Sequence, residues 1–177
     1  MDDRAKKLYE KCECMSLLTQ RACNHWSFVK FIFQIPLILT SSVMCILNSF
    51  SDNNNNMKIP NVVVNGVSVL LISYQSNLKV AEKCDLFKML SNQFLQLAHE
   101  IEGKDQEELD RNTVNIFTEK HDTLIQSCLF EDIPKSIKVD VITIFQGKAL
   151  PLQLNGGSGL QVKDHTVHRG ELCHLEV

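Results

Sequence analysis

The run FIFQIPLILTSSVMCILNSF, residues 31–50, holds twenty residues without a charge, and its reading decides the fold. Its mean hydropathy is roughly 1.7, and a helix of about 20 such residues spans a hydrocarbon core of about 30 Å. Pro36 would break a helix in water, because it removes one backbone hydrogen bond and crowds the preceding turn. A membrane helix tolerates proline better, since nearby hydroxyls such as those of Thr40, Ser41 and Ser42 can serve the freed groups. The run is read as a first membrane span, from Phe31 to Phe50.

Working outward, residues 51–58 read SDNNNNMK, a polar connection rich in a turn-favouring residue and of a length that suits a helical hairpin. Residues 59–78 form a second uncharged run, with mean hydropathy of only about 1.1 because Asn61, Asn65, Gln75 and Asn77 dilute it. Pro60 falls in its first turn, where proline costs least. Gly66 and Ser68 are small enough to admit a neighbouring helix, and Leu71 lies in its most apolar part. The β-branched stretches 62–64 and 67–72 also suit buried strands, so a soluble α+β protein burying both runs is a competing reading.

Charge fixes the orientation. Arg4, Lys6, Lys7, Lys11, Arg21 and Lys30 precede the first run, and Lys79, Lys83 and Lys88 follow the second. The connection carries only Lys58, offset by Asp52. The positive-inside rule then puts both termini on the cytoplasmic face or its topological equivalent. Trp26, Lys30, Tyr74 and Lys79 are expected at the membrane interface on that face.

The flanks are amphipathic. Leu8, Met15 and Ala22 recur every seven residues in a helix expected over 2–24, with Cys12 and Leu18 between them. Phe87, Leu90, Phe94, Leu97 and Ile101 make an a/d seam, interrupted at Lys83 and ended by Gly103. A further helix is expected over 105–129, with an acidic first turn and a stripe of Leu109, Ile116, Phe117, Leu124, Ile125 and Cys128. These three helices would bury one another's stripes, and the seam could also receive another copy. Beyond Pro134, IKVDVITIF (137–145) alternates in the manner of a strand, and NGGSG (155–159) is a flexible turn. The expected fold is mainly α: a two-helix transmembrane hairpin flanked by amphipathic helices in a small bundle, with a short β or irregular C-terminal tail. Its segments are 1–25, 26–78 (spans 31–50 and 59–78), 79–133 and 134–177.

Chemistry is sparse. The net charge of -3 and a pI near 6.1 provide no basic field for nucleic acid. No phosphate loop, GxSxG, HExxH or CxxC occurs, so neither enzyme activity, nor a cofactor, nor a small-molecule substrate is expected. Seven scattered cysteines suit a reducing compartment. Cys12 and Cys14 point about 200° apart on a helix, and Cys12, Cys23 and His25 read as ordinary side chains rather than a zinc site. His165, His168, Cys173 and His174 are the better metal candidate, but a polar tail gathers histidines without binding anything, and no metal is assigned. His99–Glu100 and His121–Asp122 read as helix-surface pairs. The charged N-terminus is unlike a signal peptide, and no lipidation signature stands at either end. Neither run holds an Asp, Glu, Lys, Arg or His, which argues against a proton relay.

The stretch HWSFVKFIFQIPLILTSSVMCILNS, residues 25–49, resembles the SLATT-type two-transmembrane family, above all variants from large nucleocytoplasmic DNA viruses. The likeness rests on Ile35–Pro36 followed by Ser41–Ser42 after an aromatic-rich approach, and covers residues 8–133. The asparagine connection and the dilute second run depart from the pattern. The resemblance implies a membrane effector or sensor, or an integral protein tethering a virion's internal membrane to its shell. The expected function is therefore a non-enzymatic membrane protein presenting a helical platform, with a minor capsid role. Its partners would be the lipid bilayer and other structural proteins or further copies of itself. The alternatives are an oligomeric pore lined by Thr40, Ser41, Asn48, Asn65 and Ser68, and the soluble α+β protein.

Overall fold

A computed structural model of the chain describes residues 3–50, 58–104 and 109–154. The described residues are helical and contain no strand. Helix α1 runs Asp3–Phe50, α2 Lys58–Asn77, α3 Val80–Glu102, α4 Arg111–Gln126 and α5 Lys135–Ile144, with a 3₁₀ turn at Phe130–Asp132 between the last two.

The expected end of the first helix near Asn24 is not an end. No glycine interrupts residues 3–50, and Pro36 is the sole proline among them, so nothing stops the helix where the apolar run begins. What changes at Trp26 is the surroundings of the helix. Ala5, Leu8, Cys12, Met15, Thr19 and Ala22 are buried, at alternating steps of three and four. From Phe28 onward the large side chains are mostly exposed.

The buried stripe of α1 packs chiefly on α3, whose Val80, Phe87, Leu90, Phe94, Leu97 and Ile101 repeat the same spacing. The two helices are antiparallel. Ser16 Oγ donates to the Ser91 carbonyl (3.2 Å) while Ser91 Oγ donates to the Ser16 carbonyl (3.1 Å), a reciprocal pair that small side chains permit. Cys23 meets Cys84, and Phe33 meets Tyr74. Each step forward along α1 is matched by an equal step back along α3 and then α2. One register thus passes through the break at Lys79, which takes a left-handed conformation (φ 50°, ψ 39°) between α2 and α3. For lysine that conformation costs about 1 kcal/mol.

The remaining elements close the bundle. Asp110 caps α4, accepting the Arg111 N–H at 2.6 Å. The α4 stripe is Val114, Phe117, His121 and Ile125. The expected strand over 137–145 is instead α5. Ile133, Ile137, Val141 and Phe145 recur every four residues, and that face joins the core with Met15, Leu18, Phe87 and Phe94. The period of four overrides the local β-branched composition because only a helix places those side chains together. The Ala149 N–H donates to Glu10 at 2.8 Å, and Leu154 is buried, so the chain beyond α5 folds back onto the start of α1.

Candidate membrane surface and its collar

Two exposed faces meet beyond the bundle. On α1 they include Phe28, Phe31, Ile32, Ile35, Ile38, Leu39, Val43 and Ile46; on α2 they include Val62, Val63, Val67, Val69, Leu70 and Ile72. Among the described residues α1 is the one helix long and apolar enough to cross a membrane, and none of its most apolar eighteen-residue window is buried. Phe31 is 62% exposed. Pro36 and Ser41 are also exposed.

Three hydroxyl groups on this surface turn inward onto their own helices. Thr40 Oγ1 donates to the Pro36 and Leu37 carbonyls (2.8 and 3.1 Å), Ser42 to Ile38 (2.8 Å) and Ser68 to Val64 (2.9 Å). Thr40, Ser41 and Ser42 were expected to be able to serve the backbone group freed by Pro36, which lies one turn earlier at Ile32; Thr40 bonds the proline's own carbonyl and Ser42 that of Ile38. These three hydroxyls therefore need little from solvent.

The contact between α1 and α2 is light. Ser68 and Leu71 are half-buried there, and Phe33 sits 5.6 Å from the Tyr74 ring. Gly66 does not supply a close approach: a methyl group at its Cα would meet nothing within 4 Å. The side chains of Phe50 and Pro60 lie outside the described residues.

Where the bundle meets the apolar half stands a collar. Trp26 is turned toward the bundle, its Nε1–H donating to the Asp132 carbonyl at 3.1 Å. Lys83 Nζ lies 4.6 Å from the Trp26 ring centroid and 2.7 Å from Asp132 Oδ1, with only 19% of its side chain exposed. The residue that interrupted the α3 seam is thus the cation that ties α1, α3 and the 3₁₀ turn together. No sequence pattern pointed to Asp132; its partners lie 106 and 49 residues away. Lys30 is half-buried, whereas Tyr74 and Lys79 are exposed, the latter pairing with Glu82 at 3.5 Å. A second tie joins Arg21 of α1 to Asp140 of α5.

Within the bundle, Phe87, Leu90, Phe94, Leu97, Ile101 and Phe117 are buried and Leu124 is half-buried. Ile116, expected in the α4 stripe, is 55% exposed, because one residue of helical rotation gives that place to Phe117. His121 is not a surface residue. It is 5% exposed, packs edge-on to Phe94 (5.9 Å between ring centroids), and holds Asp122 at 3.2 Å through Nδ1. Its Nε2 is buried without a partner, and burial lowers its pKa from the usual 6.5 against the opposing pull of Asp122.

Among the described residues no group of three or more His, Cys, Asp or Glu is arranged to hold a metal ion. His165, His168, Cys173 and His174 lie outside the described residues. Cys12, Cys14 and Cys128 are buried thiols pushed up to about 12 by burial, which keeps them protonated and unreactive. No protein family, curated protein or solved structure matches this chain.

Proposed function

We propose that this chain is an integral membrane protein in which the apolar half of α1 and the whole of α2 cross a bilayer as a hairpin. The remainder is a helical platform held on one face for partner proteins. One observation carries the reading: a single unbroken helix is buried along its first half and left apolar and uncovered along its second. Leaving a large apolar side chain in water rather than covered costs about 1.5–3 kcal/mol. A contiguous exposed apolar surface of this kind marks a contact with a membrane or with another protein. Lipid covers it without any further protein.

The second crossing is supported by connectivity. Because α3 packs on the beginning of α1, a chain that leaves the platform along α1 has to come back to it before α3. Helix α2, with 20 residues, rises about 30 Å, enough for that return. The basic flanks, Lys30 before the hairpin and Lys79 and Lys83 after it, favour the cytoplasmic-equivalent face for the platform. On this reading the task of the platform is structural and non-enzymatic, carried out through protein contacts. Tethering of a virion membrane to capsid proteins is the specific form suggested by the SLATT-like sequence pattern, and it rests on that pattern.

Alkaline carbonate extraction of membranes from expressing cells, followed by detergent phase partition, tests the reading. The protein is expected in the carbonate-resistant pellet and then in the detergent phase. Recovery of folded, monodisperse protein in detergent-free buffer would overturn it.

A further inference from the structure

Two thiols differ from the buried cysteines of the core. Cys23 on α1 and Cys84 on α3 are half-buried, and their Sγ atoms stand 3.8 Å apart. Ser27 Oγ lies 3.0 Å from Cys84 Sγ, on the next turn of α1. Both cysteines line an open cleft of about 380 Å³, together with Ser27, Asp85, Lys88 and Ser91. The cleft is wide enough for a small polar reagent, which the apolar surroundings of Cys12, Cys14 and Cys128 are not.

From this geometry we propose that Cys23 and Cys84 form an oxidisable dithiol, a modification site that a small peroxide converts into a disulfide joining α1 to α3. The two sulfurs face each other across a packed antiparallel seam. Closing from 3.8 Å to a bond of about 2.05 Å is a matter of side-chain torsion rather than helix movement. Oxidation proceeds in two balanced steps. One thiolate attacks a peroxide oxygen, breaks the O–O bond and becomes a sulfenic acid, and the departing hydroxide takes up the proton its thiol had lost, giving water. The second thiolate then attacks that sulfur, forms the S–S bond and expels the sulfenic oxygen as hydroxide, which takes up the second thiol's proton to give a second water. Two thiols and one hydrogen peroxide thus give one disulfide and two waters.

Burial, and then the adjacent Cys84, hold the Cys23 thiol above its usual range, while Ser27 and Lys88 pull the other way. The site is accordingly a slow one, expected to respond to sustained peroxide more than to a brief pulse. Its position gives the modification a consequence. Residues 23 and 84, 61 positions apart, bracket the whole apolar unit, so the disulfide closes a loop at the collar, fixing the base of both uncovered helices.

Peptide mapping of the folded full chain tests this. The protein is treated with hydrogen peroxide, free thiols are alkylated, and the chain is then unfolded and cut with trypsin. Peptides 22–30 and 84–88 are expected as one linked species, two hydrogens lighter than their sum. It should come from the monomer band, revert with dithiothreitol, and coincide with the loss of two free thiols per chain. Cys84→Ser is expected to abolish the linked species and leave Cys23 as a sulfenic acid or free thiol. Recovery of peptides 22–30 and 84–88 separately from the oxidised wild-type protein overturns the proposal. Linkage of either cysteine to other cysteines as often, or to a second copy, overturns it too. The wild-type map decides the question even where a variant fails to fold, and it does so in detergent or in buffer, apart from the membrane reading.

Discussion

His121 is 5% exposed on the inner face of α4, edge-on to Phe94. Beside Asp122 it looks like half of a surface ion pair, yet Phe117, His121 and Ile125 stand four residues apart on the buried face of α4. The spacing was visible; the polarity of the side chain hid it. In the core its charged form is disfavoured by burial, and Lys11 adds to the penalty while Asp122 opposes it. A histidine whose folded pKa is depressed binds its proton more readily in the unfolded chain. Stability is therefore full above the usual value of 6.5 and declines as pH falls from there toward the folded-state pKa. Chemical denaturation at pH 7 and at pH 5 should show this loss. His121→Phe keeps the ring, removes the buried unpartnered Nε2 and should flatten the dependence over that interval. At pH 7 the substitution is expected to be neutral or to stabilise by about 1 kcal/mol, within the range for an unsatisfied buried polar group. A variant that keeps the wild-type slope between pH 7 and pH 5 would place the titrating group elsewhere.

At the scale of elements, α2, α3 and the two halves of α1 were legible because apolar spacing and charge run together along them, though the continuity of α1 through Trp26 was not. Helix α5 was not. In residues 137–145, Ile137, Val139 and Val141 alternate, and β-branched side chains favour strands in isolation. The helical reading requires Ile133 and Phe145 as well, which lie at or beyond the ends of the run, and the distant α1 surface that receives them. Tertiary contact selects between two local patterns that the sequence carries equally. This choice predicts a sharp difference between near neighbours. Val141 is fully buried, and Val141→Ala should cost about 2 kcal/mol in the midpoint-derived unfolding free energy. Ile144 is 51% exposed, and Ile144→Ala should stay within about 0.5 kcal/mol. Equal losses at both positions would be inconsistent with the observed face of α5. The collar was hidden for a related reason: Lys83 reads as a fault in an apolar seam until Trp26 and Asp132 are brought beside it.

Taken whole, the described residues of α1, α2 and α3 form one long antiparallel frame, buried at one end and apolar and uncovered at the other. Helix α1, at 48 residues, extends about 70 Å, more than twice the hydrocarbon thickness of a bilayer. The register set by Ser16–Ser91 and Cys23–Cys84 continues to Phe33–Tyr74, so the platform and the apolar hairpin share one axis instead of being joined by a flexible linker. A topology follows that can be measured. With the hairpin inserted, Lys7 and Lys120, both with exposed side chains, lie on the platform face, and Lys58 at the start of α2 lies at the opposite end. A membrane-impermeant amine reagent applied to sealed, uniformly oriented vesicles should label Lys58 from one side. It should label Lys7 and Lys120 only from the other, or after the vesicles are opened. If α1 alone crossed, α3 would be carried to the far side of the membrane from the stripe it packs against. The buried faces of both helices would then be exposed, at about 1.5–3 kcal/mol for each large side chain. Labelling of Lys7 and Lys58 from the same side would exclude the hairpin, whereas labelling of Lys7 and Lys120 from opposite sides would mean that the seam between α1 and α3 does not form in the membrane.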